Sequence, residues 1–147
     1  MRRWIIAVAV VVAACSTAPN GTPPDAPQAI EDMREQIHAA TGHDPEACTS
    51  MIGETASIRI GDEIAIPECI ILQEHTELVV SNDSSVDQRF AISDPPSQNV
   101  RNDIYVLEVP AGAQGSIPQI GERTNSGVYP FYIRGGEPFS GFLVVVP

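Results

Sequence analysis

The chain has no lysine, a single tryptophan (Trp4) and only three histidines in 147 residues. So few histidines leave few general bases. There is also no Gly-x-Ser-x-Gly elbow, no His-Glu-x-x-His helix, no phosphate loop and no Rossmann glycine set, so catalysis is not expected. The adjacent acids Asp62 and Glu63 do not make a glycosidase pair, because neighbouring strand residues point to opposite faces. Eight arginines face nineteen acids, a net charge of −11, which argues against nucleic acid and anionic lipid surfaces as partners. The acidity reads as solubility of an exported protein, with docking to a basic partner as the alternative. No apolar run approaches the roughly 20 residues that cross a bilayer as a helix.

What is present begins at the N-terminus. Arg2 and Arg3 precede an apolar stretch from Trp4 to Val12, and Val12-Ala13-Ala14-Cys15 closes it. This resembles a bacterial type II signal, with residues 1–14 removed and Cys15 as the acylated residue, carrying palmitate or a related chain. Each buried methylene contributes on the order of 0.8 kcal/mol, so two or three chains hold a protein firmly on a membrane. The two arginines suit a general secretory signal and also the core of a twin-arginine signal. An ordinary signal cleaved nearby is the alternative to lipidation. The expected location is a cell membrane, lipid-anchored, facing the periplasm or the exterior.

With Cys15 committed to lipid, Cys48 and Cys69 remain, and two cysteines in an oxidising compartment pair. That disulfide closes a loop of about 20 residues and is worth on the order of 3 kcal/mol by chain entropy. The spacing is far from Cys-x-x-Cys, so its role reads as structural. Residues 15–28 form the lipidated cysteine and a proline-rich linker. From 27 to 40, Ile30, Met33, Ile37 and Ala40 recur at three- and four-residue steps with Gly42 just beyond, which predicts one amphipathic helix. The segment 29–54 is thus a helical lead-in, and residues 55–147 are the main domain.

That domain reads as all-β. Eight short segments rich in β-branched or aromatic residues, at 55–60, 63–66, 69–73, 76–81, 89–93, 104–109, 128–134 and 141–146, alternate with turn formers such as Asn82-Asp83-Ser84-Ser85 and Pro110-Ala111-Gly112, as in a β-sandwich. In the last segment both alternating sets, Phe142, Val144, Val146 and Leu143, Val145, are apolar, so that strand belongs in the middle of a sheet.

The order of these pieces resembles the cupredoxins. A strand after Pro67 is followed by a turn at Glu74-His75 and Leu-Val-Val-Ser-Asn ending at Asn82. Val109-Pro110-Ala111-Gly112 is similar to the family's proline-glycine turn. Gly127-Val-Tyr129-Pro-Phe131-Tyr-Ile133 is similar to its Gly-x-Tyr-x-Phe-x-Cys strand, and Phe139-Ser-Gly141-Phe-Leu-Val-Val to its closing Met-x-Gly-x-Leu-x-Val. The resemblance spans about residues 55 to 147 and implies a Greek-key β-sandwich of about eight strands. Blue copper is held by two histidines, a cysteine thiolate and a weak methionine. Here Gln88 or Arg89 stands at the first histidine, Ile133 at the cysteine and Phe139 at the methionine, and 134–138 contains no histidine. The resemblance therefore implies the scaffold without copper, and no cofactor is expected.

Other metal donors are His38, His43 and His75, with Glu35, Asp44, Glu46 and Glu74 nearby. On one helix a step of five turns His38 and His43 about 140° apart, so they chelate only if the helix ends between them; otherwise they are solvated. His75 reads as a turn residue. Tyr105, Tyr129, Phe131, Tyr132, Phe139 and Phe142 read as core rather than as a pocket. The loop 93–103 and the tip 134–138 are expected to flank the former copper end, where Arg101, Arg134 and Glu137 are candidate contacts for an envelope protein or polymer. The expected protein is a monomeric, non-catalytic binding or structural module. A copper-binding or electron-transfer protein with a displaced site and a small-ligand-binding lipoprotein are the alternatives.

Overall fold

The computed structural model describes residues 25–62, 64–95, 101–133 and 140–147. The signal and linker, Cys15, Glu63, Arg134, Glu137 and Phe139 lie outside them.

The apolar stripe of the lead-in forms two short helices in series, α1 (Ala26–Asp32) and α2 (Arg34–Thr41), rather than one. Met33 interrupts the run with φ −97° and ψ 0°, yet its N–H still donates to Ala29 O at 3.1 Å, so the axis is irregular for only one residue. Asp25 caps the start by accepting from Gln28 N at 3.1 Å, and Gly42, at φ 73°, ends α2 in the left-handed region that glycine adopts without strain.

Ten strands are present among the described residues: β1 (Thr49–Ser50), β2 (Thr55–Ile60), β3 (Ala65–Ile66), β4 (Cys69–Gln73), β5 (Glu77–Asn82), β6 (Gln88–Ser93), β7 (Asp103–Val109), β8 (Gln114–Ile117), β9 (Gly127–Ile133) and β10 (Gly141–Val146). Two of them, β1 and β8, were not foreseen. β1 has only two residues, and β8 reads Gln-Gly-Ser-Ile, poor in strand formers. They build a six-stranded sheet, β1-β4-β10-β9-β6-β7, and a four-stranded sheet, β3-β2-β5-β8. The all-β sandwich expected from the alternation is present. β10 lies between β4 and β9, the central position its two apolar faces require.

Between the sheets, Ile58, Ile60, Leu78, Val80, Phe90, Ile92, Phe131 and Leu143 are fully buried in one core. A second, smaller core lies on the outer face of the six-stranded sheet, where Ala26, Ala29, Met33 and Ile37 of the helices cover Ile71, Val144 and Val146. The Cys48–Cys69 disulfide is formed, with sequence separation 21, and ties the segment after the helices to the start of β4.

Register defines two poles. Phe90 pairs with Ile133 and Ile92 with Phe131, so β6 begins where β9 ends. At this first pole β7 also ends, since Gln88 pairs with Val109, and β10 begins, since Gly141 pairs with Phe131. The opposite pole holds the His75 turn, the end of β6 and the starts of β7 and β9.

Candidate functional site

The first pole is where a copper site is expected from the resemblance. Side chains two apart on a strand share a face, and Phe90 opposes Ile133. Gln88 and Ile133 therefore point from adjacent strands into the same inter-sheet space. Their chemistry differs from a metal site. Ile133 packs against the main core, and an alkyl group has no lone pair to offer.

Gln88 is 1% exposed and belongs to a closed polar network. Its Nε2 donates to Ser84 Oγ at 3.0 Å. Ser84 Oγ in turn lies 2.7 Å from Asn82 Oδ1, which also accepts from Ser84 N at 3.0 Å. The Asn82 amide donates to the carbonyls of Val86 and Val109, both at 2.8 Å. Residues 82 to 88 thus fold back on themselves through side chains, and Asn82 stitches the end of β5 to the end of β7 across the sandwich. No buried side-chain N or O among the described residues lacks a partner, which is how such a network avoids the cost of burying polar atoms. A soft trigonal copper set finds no imidazole, thiolate or thioether at Gln88 and Ile133, nor at Phe139 in the sequence. These residues do not fit blue copper.

The remaining metal candidates stand apart. α2 does end between His38 and His43, but His38 Nδ1 lies 3.5 Å from Asp44 Oδ1 on an exposed surface. His75 occupies the exposed turn between β4 and β5. No group of three or more histidine, cysteine, aspartate or glutamate side chains among the described residues could hold a metal ion.

The loop 93–103 is a correction. It was expected beside 134–138, but β6 runs away from Ile133, so the chain leaves Ser93 and returns at Asp103 at the opposite pole; strand direction, invisible in the composition of a loop, decides this. Arg101 is built into that region. Its Nε donates to Asp103 Oδ1 at 2.6 Å, Asp103 also accepts from Ser93 Oγ at 2.6 Å and Arg89 Nη2 at 3.1 Å, and the guanidinium lies 3.9 Å from the Tyr132 ring centroid. Partial burial would raise the Asp103 pKa, but the hydrogen bonds from Ser93, Arg101 and Arg89 outweigh it and hold the carboxylate below its ordinary range. Arg101 is thus a structural arginine clamped on the sheet, while Arg134 and Glu137 lie outside the described residues.

The aromatic residues divide between core and surface. Phe131 and Tyr129 are buried between the sheets, and Phe131 lies 5.4 Å from Phe90, centroid to centroid. The Tyr129 hydroxyl donates back to Asn125 O at 3.0 Å. Tyr132 and Phe142 face outward and, with Ala39, Ala40, Val128 and Pro130, line an open cavity of about 260 Å³ between α2 and the six-stranded sheet. Sequence reasoning missed this cavity because it took the aromatic set for core. The signal was there in alternation, since Tyr132 has the opposite parity to Tyr129, Phe131 and Ile133.

No family model matches the chain, and no curated protein matches it in sequence. Among solved structures it is similar to reduced auracyanin from the photosynthetic bacterium Roseiflexus castenholzii, at 16% identity and a TM-score of 0.49, over 66% of this chain and 100% of that one. It is similar also to a purple cupredoxin from Nitrosopumilus maritimus, at 19% identity and 0.43, over 61% and 98%, and to reduced rusticyanin, at 13% and 0.45, over 84% and 98%. The fold is a cupredoxin-like β-sandwich.

Proposed function

We propose that the chain is a membrane-anchored envelope lipoprotein whose metal-free cupredoxin-like domain serves as a non-catalytic binding or structural module. One observation carries this reading: the buried Gln88 amide is committed to the Ser84 hydroxyl and Ile133 packs on the core, so neither side chain is a soft copper donor. A scaffold closed in this way is suited to presenting a surface rather than to cycling electrons. The cleavage box at Cys15, the linker behind it and the disulfide support the envelope location.

Two measurements test the two halves of the proposal. Metabolic labelling with a fatty acid should mark the protein, and Cys15→Ser should abolish both the label and membrane retention; an unlabelled wild type would end the lipoprotein reading. For the binding half, charge reversal at Arg134 or Glu137 should weaken capture of the envelope partner. Unchanged capture by both variants would refute the docking role of the first pole.

A second reading is supported by the outer cavity. At about 260 Å³ with a mainly apolar lining, it is close to the lower size of small-ligand sites. A thermal-shift screen of small apolar and aromatic compounds distinguishes the readings, since a ligand in this cavity would lose its effect in Tyr132→Ala.

A further inference from the structure

The chain's two functional ends sit at opposite poles of the sandwich. The end of α2 lies by the first pole, because Thr41 and His43 border a recess with Cys69, Ser140 and Gly141, the beginnings of β4 and β10. From there the chain enters β1, whose Thr49 pairs with Ile70 at the start of β4. Going backward along the helices leads the other way. Ile30 lies beside Ile71, further along β4, and Ala26 shares the outer core with Val146 at the end of β10. Glu74 N donates to Val146 O at 2.9 Å, so that end of β10 adjoins the His75 turn. Asp25, where the chain enters the domain, is therefore at the His75 pole.

We infer that the anchored domain stands with the His75 pole toward its own membrane and the Gln88 pole outward, away from the lipid. This rests on the anchoring at Cys15 proposed above. Nine residues separate Cys15 from Asp25; a flexible chain of that length spans about 17 Å and a fully polyproline one about 28 Å. The helices from Asp25 to Thr41 cover about 24 Å at 1.5 Å per residue. Inverting the upright domain so that the first pole meets the lipid would need a nearly straight linker lying back along them, which leaves a domain lying flat as the competing arrangement. Charge opposes that arrangement too: removing Arg2 and Arg3 leaves six arginines against nineteen acids, or −13, which disfavours pressing the domain flat on an anionic surface.

Uniformly labelled lipoprotein purified from membranes and placed in phosphatidylcholine nanodiscs carrying a gadolinium-chelating lipid tests this by paramagnetic broadening. The inference predicts loss of the amide signals of Glu74 and His75, with those of Ser85 and Val86 retained. Loss at Ser85 and Val86 first, or equal loss at both poles, overturns it. Mass analysis of the N-terminal peptide reports acylation separately, and coupling the same chain through Cys15 to a maleimide lipid keeps the orientation measurable if cells leave Cys15 unmodified.

Discussion

Gln88 Nε2 donates to Ser84 Oγ at 3.0 Å inside the sandwich, so its amide is committed to a loop hydroxyl. Removing it leaves the hydroxyl short of a partner in a buried setting. Gln88→Ala should lower stability by about 1–3 kcal/mol, read as a lower urea midpoint with unchanged slope. Asn82→Ala should cost more, because that side chain also holds the carbonyls of Val86 and Val109. Equal stability of Asn82→Ala and wild type would show that the network contributes nothing.

Cys48 and Cys69 close a loop with separation 21. Replacing both with alanine should cost about 3 kcal/mol by chain entropy and loosen β1 first, since among the described residues β1 pairs with β4 alone. Hydrogen exchange at the Met51 amide, which donates to Ile71 O at 2.8 Å, should accelerate more than exchange in β10.

Gly141 opens β10 in close contact with its surroundings. A Cβ there would collide with the Glu68 backbone carbonyl and with the Phe131 ring, and neither can move without disturbing the pairing of β4 with β10 or the core. Gly141→Ala should therefore destabilise by about 1–3 kcal/mol or more, whereas Gly115→Ala, where a Cβ meets Val109 and Leu107 only at ordinary contact distance, should cost less. Thermal melts of the two variants check the order.

The Arg34 guanidinium bridges Glu31 and Glu46 at 2.8 Å each, and its hydrogen bond to Glu46 is the main reason that carboxyl is held down at about 2. A depressed folded value means the pair contributes above the ordinary value of 4.5 and is lost as pH falls through about 2. Arg34→Ala should return the Glu46 titration, followed by NMR, toward 4.5. Because the pair is exposed, stability at neutral pH should change little. A Glu46 titration unaffected by the substitution contradicts the bridge.

Much of the fold was legible before any coordinates, for physical reasons that also explain the gaps. The apolar faces of Phe142 to Val146 demanded a central strand, and the two cysteines left once Cys15 is read as a lipidation residue pointed to the Cys48–Cys69 bond. β8 was illegible because Gln114-Gly115-Ser116-Ile117 is short and poor in strand formers, a composition that sequence reads as a turn. The helix broke at Met33 although Met33 keeps its place on the apolar stripe, since a one-residue change of backbone leaves periodicity intact. The placement of the loop 93–103 failed because pole assignment depends on strand direction and register. At the first pole, Gln88 and Ile133 were readable one by one, but the bonds joining Asn82, Ser84 and Gln88 were not, because a polar turn and a buried network have the same composition.

The proposed module is a cupredoxin-like scaffold that holds no copper. Titration of the disulfide-intact chain with Cu(II) and with Cu(I), followed by calorimetry and visible absorption, tests it most directly. The account predicts no saturable binding and no thiolate charge-transfer band. Tight one-to-one binding would contradict it and direct mutagenesis to His38, His43 and His75.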